Sequence, residues 1–178
     1  MSTVDRKKVG RRSRNKGNGY ENKIAKVLGD WWCGDPASFK RRPRSGGWPT
    51  KHAEGDLVGV TEKSKMFPFV IDTKKREGWR FEHLICGSGP FVEWWDDICD
   101  IAHTETEERL RLLIVSKNHD KDYVIFADRE MDLLSRVDHT FEPRFDFRSA
   151  GRYTETLYVM VLGDFLALDA EKLQCLLS

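Results

Sequence analysis

The chain has 178 residues, enough for one domain that buries a hydrophobic core without the help of disulfides or metals. Its 30 basic and 29 acidic residues give a formal net charge of +1, which by itself indicates no polyanionic partner. The four cysteines form no C-x-x-C pair, and no apolar stretch reaches the roughly eighteen residues of a membrane span. These features argue against a zinc site, a disulfide framework and a signal peptide, and we expect free thiols in a reducing cytoplasm.

Basic residues are concentrated at the amino terminus. Residues 1–16 hold seven Lys or Arg side chains and one acid, Asp5, so this segment carries +6 and the remainder of the chain −5. Its large apolar side chains are limited to Met1, Val4 and Val9. We therefore predict a flexible basic arm over 1–16 that contacts phosphates, followed by a single domain over 17–178.

An amphipathic helix is predicted to begin at Asn18 and to end at Gly34-Asp35-Pro36. Its apolar face consists of residues at three- and four-residue spacing, namely Tyr20, Ile24, Val27, Leu28 and Trp31. Glu21 falls in the first turn of this predicted helix, where a glutamate commonly complements the helix dipole.

A basic strand and a glycine loop follow the helix. Phe39 to Arg44 is predicted to be a short strand dense in guanidinium groups, and Ser45 to Pro49 a loop whose glycines let backbone amides approach a phosphate closely. We interpret the two as a phosphate cradle because they lie close in sequence to Asp56. The alternative is a solvated surface ribbon.

Two apolar, β-branched runs each carry a carboxylate that a buried strand disfavours: Asp56 at the start of residues 55–60 and Asp72 near the end of residues 67–75. We expect the two runs to pair as an antiparallel hairpin, which brings both acids to one end of the ribbon. Lys74 lies two residues beyond Asp72 and therefore points to the same face of the strand. The alternative is a strand whose polar end is only a solvated tip.

Basic and aromatic residues are interleaved after this strand, at Lys75, Arg76, Trp79 and Phe81. Such a combination suits a distorted nucleic acid, because cations bind phosphates and rings stack on an exposed base. Aromatic residues more often cap a hydrophobic core, which is the alternative for Trp79 and Phe81.

The remainder of the chain is predicted to complete an α/β domain with a central mixed β-sheet flanked by helices. Apolar spacing predicts a helix from Pro90 to about His103, with Asp96, Asp97 and Asp100 on its solvated face. The elements that follow are predicted as strands at Leu110–Ser116 and Asp122–Ala127, a helical turn at Met131–Val137, an irregular segment at Thr140–Arg152, a hairpin of Thr156–Val161 and Asp164–Leu168 around Gly163, and a helix capped by Asp169 that ends at Leu177.

The chemistry of the two acidic strands is that of a divalent metal site. Two carboxylates with open water positions are typical of Mg²⁺ or Mn²⁺ binding. Such a metal polarises a phosphodiester and lowers the pKa of a bound water, which Lys74 would orient or deprotonate. The predicted reaction class is phosphodiester hydrolysis.

Gly55-Asp56, followed after about fifteen residues by Ile71-Asp72-Thr73-Lys74, resembles the metal-binding core of the PD-(D/E)xK nuclease superfamily. The order of motifs is similar to archaeal-type Holliday junction resolvases and their phage relatives: Arg14-Asn15-Lys16-Gly17, then Glu21, then the stretch from Phe39 to Gly47, then Gly55-Asp56. The resemblance covers about the first eighty residues. Those resolvases usually carry Glu at the position of Asp72, which is one methylene shorter.

The resemblance implies a restriction-endonuclease-like nuclease core with its metal site in residues 17–80. It implies that Asp56, Asp72 and the Thr73 carbonyl bind Mg²⁺, with Mn²⁺ as a substitute. It also implies roles for three other residues, in that Glu21 completes the metal site, Lys74 positions the attacking water, and Ser45 contributes to the active site. The residues expected to contact the DNA backbone are Arg11, Arg12, Arg14, Lys16, Arg41, Arg42, Arg44, Gly46, Gly47, Lys75 and Arg76.

The resemblance further implies a substrate and an assembly. We expect an endonuclease that resolves four-way junctions in branched double-stranded DNA by paired nicks, in the cytoplasm of a bacterial, archaeal or phage-infected cell. Symmetric nicks require two active sites related by a two-fold axis, so a homodimer is expected, with no membrane and no small-molecule cofactor. The alternatives are a restriction-like, nicking or repair endonuclease of the same fold, or a non-catalytic DNA-binding accessory protein.

Overall fold

The computed structural model describes residues 3–42, 55–80, 82–83, 86, 88–103, 109–117, 120–143, 145–149 and 151–177, with side chains from Asn15 onward except that of Phe145. The helices and strands of this part of the chain are, in order, α1 (Thr3–Cys33), β1 (Phe39–Arg41), β2 (Leu57–Gly59), α2 (Glu62–Lys65), β3 (Phe69–Lys75), α3 (Pro90–Ala102), β4 (Leu110–Ser116), β5 (Asp122–Ala127), α4 (Asp128–Val137), β6 (Phe145–Arg148), β7 (Thr156–Val161), α5 (Leu162–Phe165) and α6 (Ala170–Leu177).

The strands form two sheets. The larger has the order β3-β4-β5-β7-β6, in which β3 and β4 are parallel and the other neighbours are antiparallel. β1 and β2 form a separate antiparallel pair. The expected α/β fold with a central mixed sheet flanked by helices is therefore confirmed, and β3, which carries Asp72 and Lys74, lies at one edge of the larger sheet.

Alternation along β3 assigns its side chains to the two faces of the sheet. Ile71 is buried in the cluster formed with α1, whereas Val70 is buried in the cluster formed with α3. Because successive side chains of a strand point to opposite faces, Asp72 and Lys74 lie on the α3 side and Thr73 lies on the α1 side. The polar end of β3 thus places polar side chains on both faces of the sheet at its edge.

The predicted hairpin between residues 55–60 and 67–75 is wrong. β2 pairs with β1 and β3 pairs with β4, so the two runs belong to different sheets. The residues between them form α2 instead of a tight turn, since Thr61 and Ser64 cap the helix reciprocally through backbone and side-chain hydrogen bonds. This helical turn redirects the chain between the sheets.

The first helix is longer than predicted. α1 begins at Thr3, so the predicted start at Asn18 is wrong, and the backbone of residues 3–16, expected as a flexible arm, is helical. Arginine and lysine are good helix formers and no proline interrupts the segment, which explains the extension. The predicted end is confirmed, because α1 stops at Cys33 and Gly34 follows with a φ of 70°.

The face that α1 buries matches the predicted one at three of its five positions. Tyr20, Ile24 and Leu28 are buried as expected, but Trp32 is buried where Trp31 was predicted, and Trp31 and Val27 are only partly covered. Both tryptophans contact Phe67, which precedes β3. The carboxyl end of α1 is therefore fixed against the strand that carries Asp72.

In the back half, the predicted strands β4 and β5, helix α3 and the helix capped by Asp169 are confirmed. The irregular segment predicted for 140–152 is wrong in part, because β6 lies within it. The strand predicted for 164–168 is also wrong, since α5 occupies its first residues. β7 already has β5 on one side and β6 on the other, so it has no free edge for a hairpin partner.

Two expectations about the chain as a whole can be compared with the structure. Cys33, Cys86, Cys99 and Cys175 are free thiols, as predicted. Within the described residues, no helix has both the length and the apolar character that crossing a membrane requires.

Gly55 brings Asp56 against β3, because a Cβ added at this position would overlap the Ile71 carbonyl. We expect Gly55→Ala to push this segment off the strand and to lower the free energy of unfolding by about 1–3 kcal/mol, the usual cost of overpacking. Urea denaturation followed by circular dichroism measures the change. The matched control is Gly19→Ala in α1, where an added Cβ meets nothing within 4 Å and better helix propensity should raise stability by about 0.5–1 kcal/mol. Unchanged stability of Gly55→Ala would contradict the close approach.

Candidate functional site

Asp56 is held against the outer edge of β3 by three hydrogen bonds. Its backbone N–H donates to Ile71 O at 2.7 Å, and its Oδ2 accepts from Thr73 N at 2.8 Å and from Thr73 Oγ1 at 3.1 Å. An edge strand otherwise leaves such backbone groups without a partner. The same bonds that satisfy the edge of β3 therefore fix the orientation of the Asp56 carboxylate.

Asp72 and Lys74 form an ion pair on the α3 side of the strand. Asp72 is only 4% exposed, and Lys74 Nζ lies 2.9 Å from its Oδ2. Apart from this ion pair, Oδ2 is buried without a hydrogen-bond partner among the described residues. A buried carboxylate oxygen normally accepts several hydrogen bonds, so this atom has capacity for a further cationic ligand. The ion pair also confirms that the two side chains share one face.

Glu21 reaches the site from α1. Its Oε2 lies 3.5 Å from Arg41 Nη1 in β1, and both side chains are mostly covered. Because α1 begins at Thr3, Glu21 lies within the helix and not in its first turn, so the predicted role of complementing the helix dipole is wrong. Arg41, predicted to contact DNA, lies beside this acid.

The acids and the lysine shift one another's protonation. Burial, the neighbouring Asp72 carboxylate and, more weakly, Glu21 raise the pKa of Asp56 from its ordinary 3.8 to about 8, against the opposing effect of its hydrogen bond from the β3 amide. Burial alone would lower the pKa of Lys74, but the surrounding carboxylates, led by Asp72, raise it above its ordinary value. Without a metal, Asp56 is therefore harder to ionise than an ordinary aspartate, and the carboxylates keep Lys74 as an ammonium.

This charge state bears on the two roles predicted for Lys74. An ammonium can orient a water molecule or bind a phosphate oxygen, but it cannot accept a proton. The positive charge of Lys74 therefore favours an orienting and charge-neutralising role over that of a general base.

The donor set fits a hard divalent cation that keeps part of its water shell. Among the described residues, no group of three or more His, Cys, Asp or Glu side chains is arranged as a ready-made metal site. Mg²⁺, however, is commonly held by one or two carboxylates and several waters. The buried Asp72 carboxylate and the adjacent Asp56 carboxylate would supply two such ligands, and a cation would relieve the repulsion between the two acids when both are ionised.

Thr73 has a role that the sequence did not indicate. The resemblance implies that its carbonyl binds metal, whereas its amide and hydroxyl both bond to Asp56 in the structure. The side chain of a threonine at this position points to the face opposite Asp72, so it can reach the acid that lies over the strand edge. Thr73 thus orients one of the two candidate ligands.

Asp97 is a further residue that sequence reasoning missed. Its Oδ2 lies 3.9 Å from Lys74 Nζ, which brings α3 into the site. The solvated face predicted for this helix is wrong for Asp96, which accepts hydrogen bonds from the backbone of Arg152 and Tyr153. The sequence did indicate that Asp97 directly precedes a residue of the apolar face of α3. A side chain at such a boundary position can reach the edge of the sheet.

The other predicted site residues fall into three groups. Arg42 donates its backbone N–H to Asp56 O at 2.8 Å, and Lys75 lies over the Tyr20 ring with Nζ 5.4 Å from its centroid. Lys16 and Arg76 are exposed. Ser45 and the predicted DNA contacts Arg44, Gly46 and Gly47 lie outside the described residues, as do the side chains of Arg11, Arg12 and Arg14.

The interpretation of Trp79 as a base-stacking residue is wrong. Its side chain is 1% exposed and packs edge-on against Phe91 of α3, with ring centroids 5.2 Å apart. Trp79 is therefore part of the core, which was the alternative prediction. Phe81, for which the same choice was open, lies outside the described residues.

Comparison with known proteins bears on the whole chain. A family model with the description "Phage putative PDDEXK endonuclease" matches residues 12–175. The match includes α1, both acidic strands and the back half, and so extends well beyond the first eighty residues that carry the motif resemblance. Neither a curated protein nor a solved structure matches.

The raised pKa of Asp56 predicts an unusual dependence of stability on pH. The metal-free folded state favours the protonated acid, so this group's contribution to stability is greatest below about pH 4 and is lost as the pH rises towards about 8. Asp56→Asn removes the charge while its amide oxygen can still accept the bonds from Thr73. We expect the variant to be more stable than the native chain at pH 8.5 in chelator and nearly equal to it at pH 4.

Urea denaturation at the two pH values measures this difference. Glu77→Gln, at an exposed position in the loop after β3, is the control for removing one negative charge from the surface. A native chain that is more stable than Asp56→Asn at pH 8.5 without metal would contradict the mutual destabilisation of the two acids.

Proposed function

Because the chain belongs to the phage PDDEXK endonuclease family, we propose that it is a divalent-metal-dependent endonuclease that hydrolyses DNA phosphodiester bonds at the edge of β3. The observation that carries the proposal is the buried Asp72 carboxylate, which lies beside a second buried acid, Asp56, and the Lys74 ammonium at the edge of one strand. Two buried acids side by side cost free energy, and such pairs with shifted pKa values are typical of functional sites.

Each residue of the site has a role in this reaction. Asp56 and Asp72 would hold Mg²⁺, for which Mn²⁺ would substitute, and Glu21 would add negative charge from the α1 side. The bound metal would polarise a phosphate oxygen and lower the pKa of a water. Lys74, kept charged by the carboxylates around it, would orient the attacking water and offset the charge that develops on the phosphate.

Binding of DNA would depend on phosphates and shape. Basic residues flank the acids on two sides, with Arg41 and Arg42 at the end of β1 and Lys75 and Arg76 at the end of β3. These four residues would provide cations on either side of the candidate scissile position. This arrangement supports recognition of the backbone and not of base edges.

We further propose a four-way DNA junction as the substrate and a homodimer as the active form. The support is the order of the motifs, in which Glu21, the basic strand, Gly55-Asp56 and Ile71-Asp72-Thr73-Lys74 follow one another as in the junction resolvases they resemble. A dimer would supply two sites for symmetric nicks.

Cleavage of a labelled four-way junction tests the reaction and the substrate together. We expect paired nicks on the junction with Mg²⁺ or Mn²⁺, none with chelator, and a loss of at least about 100-fold in Asp56→Asn and Asp72→Asn, since each removes a metal ligand. Linear duplex of the same sequence is the substrate control, and gel-shift binding of the junction by Asp56→Asn should be largely retained.

Each other outcome is informative. Metal-dependent cutting of duplex alone would keep the nuclease and exclude the resolvase. Binding of the junction without cleavage by the native chain, under every metal condition, would contradict the enzyme and favour a DNA-binding accessory protein.

Lys74→Met tests the role of the ammonium. We expect kcat to fall by about 10²–10³-fold, because a preorganised positive group at the reacting phosphate is lost. Binding of Mn²⁺ should be retained or tightened, since the substitution removes the cation that now occupies Asp72. Calorimetry and single-turnover cleavage measure the two quantities; loss of metal binding together with activity would instead indicate a structural role for Lys74.

A further inference from the structure

Lys74 lies between two carboxylates that belong to different elements. Its ammonium is 2.9 Å from Asp72 Oδ2 in the same strand and 3.9 Å from Asp97 Oδ2 in α3. The two acids differ sharply in exposure, with side chains 6% and 59% accessible respectively. One partner of Lys74 is therefore buried in the site, and the other lies at its exposed rim.

The position of Asp97 is set by its helix and not by its own contacts. The preceding residue, Asp96, accepts hydrogen bonds from the backbone of Arg152 and Tyr153 at 3.1 and 3.2 Å. On the adjacent side of the helix, Trp95 donates Nε1 to Glu155 at 3.0 Å and is completely buried. These contacts fix the rotation of α3, so Asp97 is held over the end of β3 while its carboxylate remains largely exposed.

Metal binding and the ion pair compete for one atom. If Asp72 Oδ2 is a metal ligand, a divalent cation there repels the ammonium that now contacts the same oxygen. Lys74 must then leave Asp72 and still remain in the site to act on the phosphate. A second carboxylate within reach makes this displacement less costly than moving the ammonium into a position without a counter-charge.

We propose that Asp97 is a positioning residue that retains Lys74 in the site when a divalent cation occupies Asp72. The inference deepens the proposed nuclease function and rests on it. Asp97 does not touch the metal or the substrate in this scheme. Asp97 acts through Lys74, because its carboxylate accepts the hydrogen bond of the lysine when the metal displaces the ammonium from Asp72. Metal binding is thereby coupled to the position of the ammonium.

A double-mutant cycle on metal binding tests the proposal without relying on activity. Mn²⁺ affinity is measured by calorimetry for the native chain, Asp97→Asn, Lys74→Met and the double variant. We expect Asp97→Asn to weaken Mn²⁺ binding about two- to fivefold in the native background, the scale of a half-exposed ion pair, and to have little effect when Lys74 is already methionine.

Two further variants complete the design. Glu93→Gln removes an exposed acid from the same helix, one turn before Asp97, and should leave Mn²⁺ binding unchanged. Asp97→Glu keeps the carboxylate and should restore most of the affinity. In the cleavage assay, Asp97→Asn should lower kcat and leave KM for the DNA unchanged.

The outcomes separate this inference from the proposed function. A loss in the native background at least twice that in Lys74→Met supports it, and equal losses in both backgrounds, or no loss in either, overturn it while leaving the nuclease intact. Failure of Asp97→Glu to restore binding also counts against it. If the native chain binds no Mn²⁺ at all, the proposed function falls and this inference falls with it.

Discussion

The candidate site depends on how the open edge of β3 is closed. An edge strand exposes N–H and C=O groups that have no ladder partner, and proteins usually cover or distort such edges. Here the residue after Gly55 supplies both a donor to Ile71 O and a carboxylate acceptor for Thr73 N. The same contacts therefore close the edge of β3 and orient Asp56. They require glycine at position 55, because the two backbones approach too closely for a Cβ.

The charges of the site favour function over stability. Asp56, Asp72 and Glu21 converge from three segments of the chain, and when all three are ionised their negative charge exceeds the positive charge of Lys74 and Arg41 beside them. Burying these charged side chains costs free energy that burying hydrophobic side chains would not cost. The raised pKa of Asp56 reflects this cost. A divalent cation held by Asp56 and Asp72, as proposed, would relieve the repulsion between them and so stabilise the folded chain.

A second charged network, centred on Arg111 in the neighbouring strand, determines where α3 can lie. Arg111 of β4 is 4% exposed, forms two hydrogen bonds to the Glu155 carboxylate at 2.8 and 2.9 Å and contacts Glu130 at 3.2 Å. Its guanidinium also lies over the Trp95 ring at 5.0 Å. Because breaking a buried pair of this kind is strongly unfavourable, the network holds α3 against the sheet and brings Asp97 to the end of β3.

Local pattern alone was sufficient for the elements whose apolar period is unambiguous. The spacing in α3, the β-branched runs of β4 and β5, and the glycine after α1 each correspond to one local conformation, and the residue types at Asp56, Asp72 and Lys74 already indicated metal-assisted hydrolysis. The sequence could not specify which strands pair with each other. Whether residues 55–60 join β3 or β1 is decided by long-range packing and by the helical cap at Thr61, not by the propensity of either run.

The same limit explains the residues that were missed or misassigned. Asp97 and Trp79 look like a surface acid and a stacking ring in sequence, and only the packing of α3 on the sheet makes one a neighbour of Lys74 and the other part of the core. The sequence by itself therefore determined the chemical groups of the site and the α/β class. The tertiary structure decided which strand edge unites those groups and which helix faces them, because contacts between distant segments depend on the packing of the whole chain.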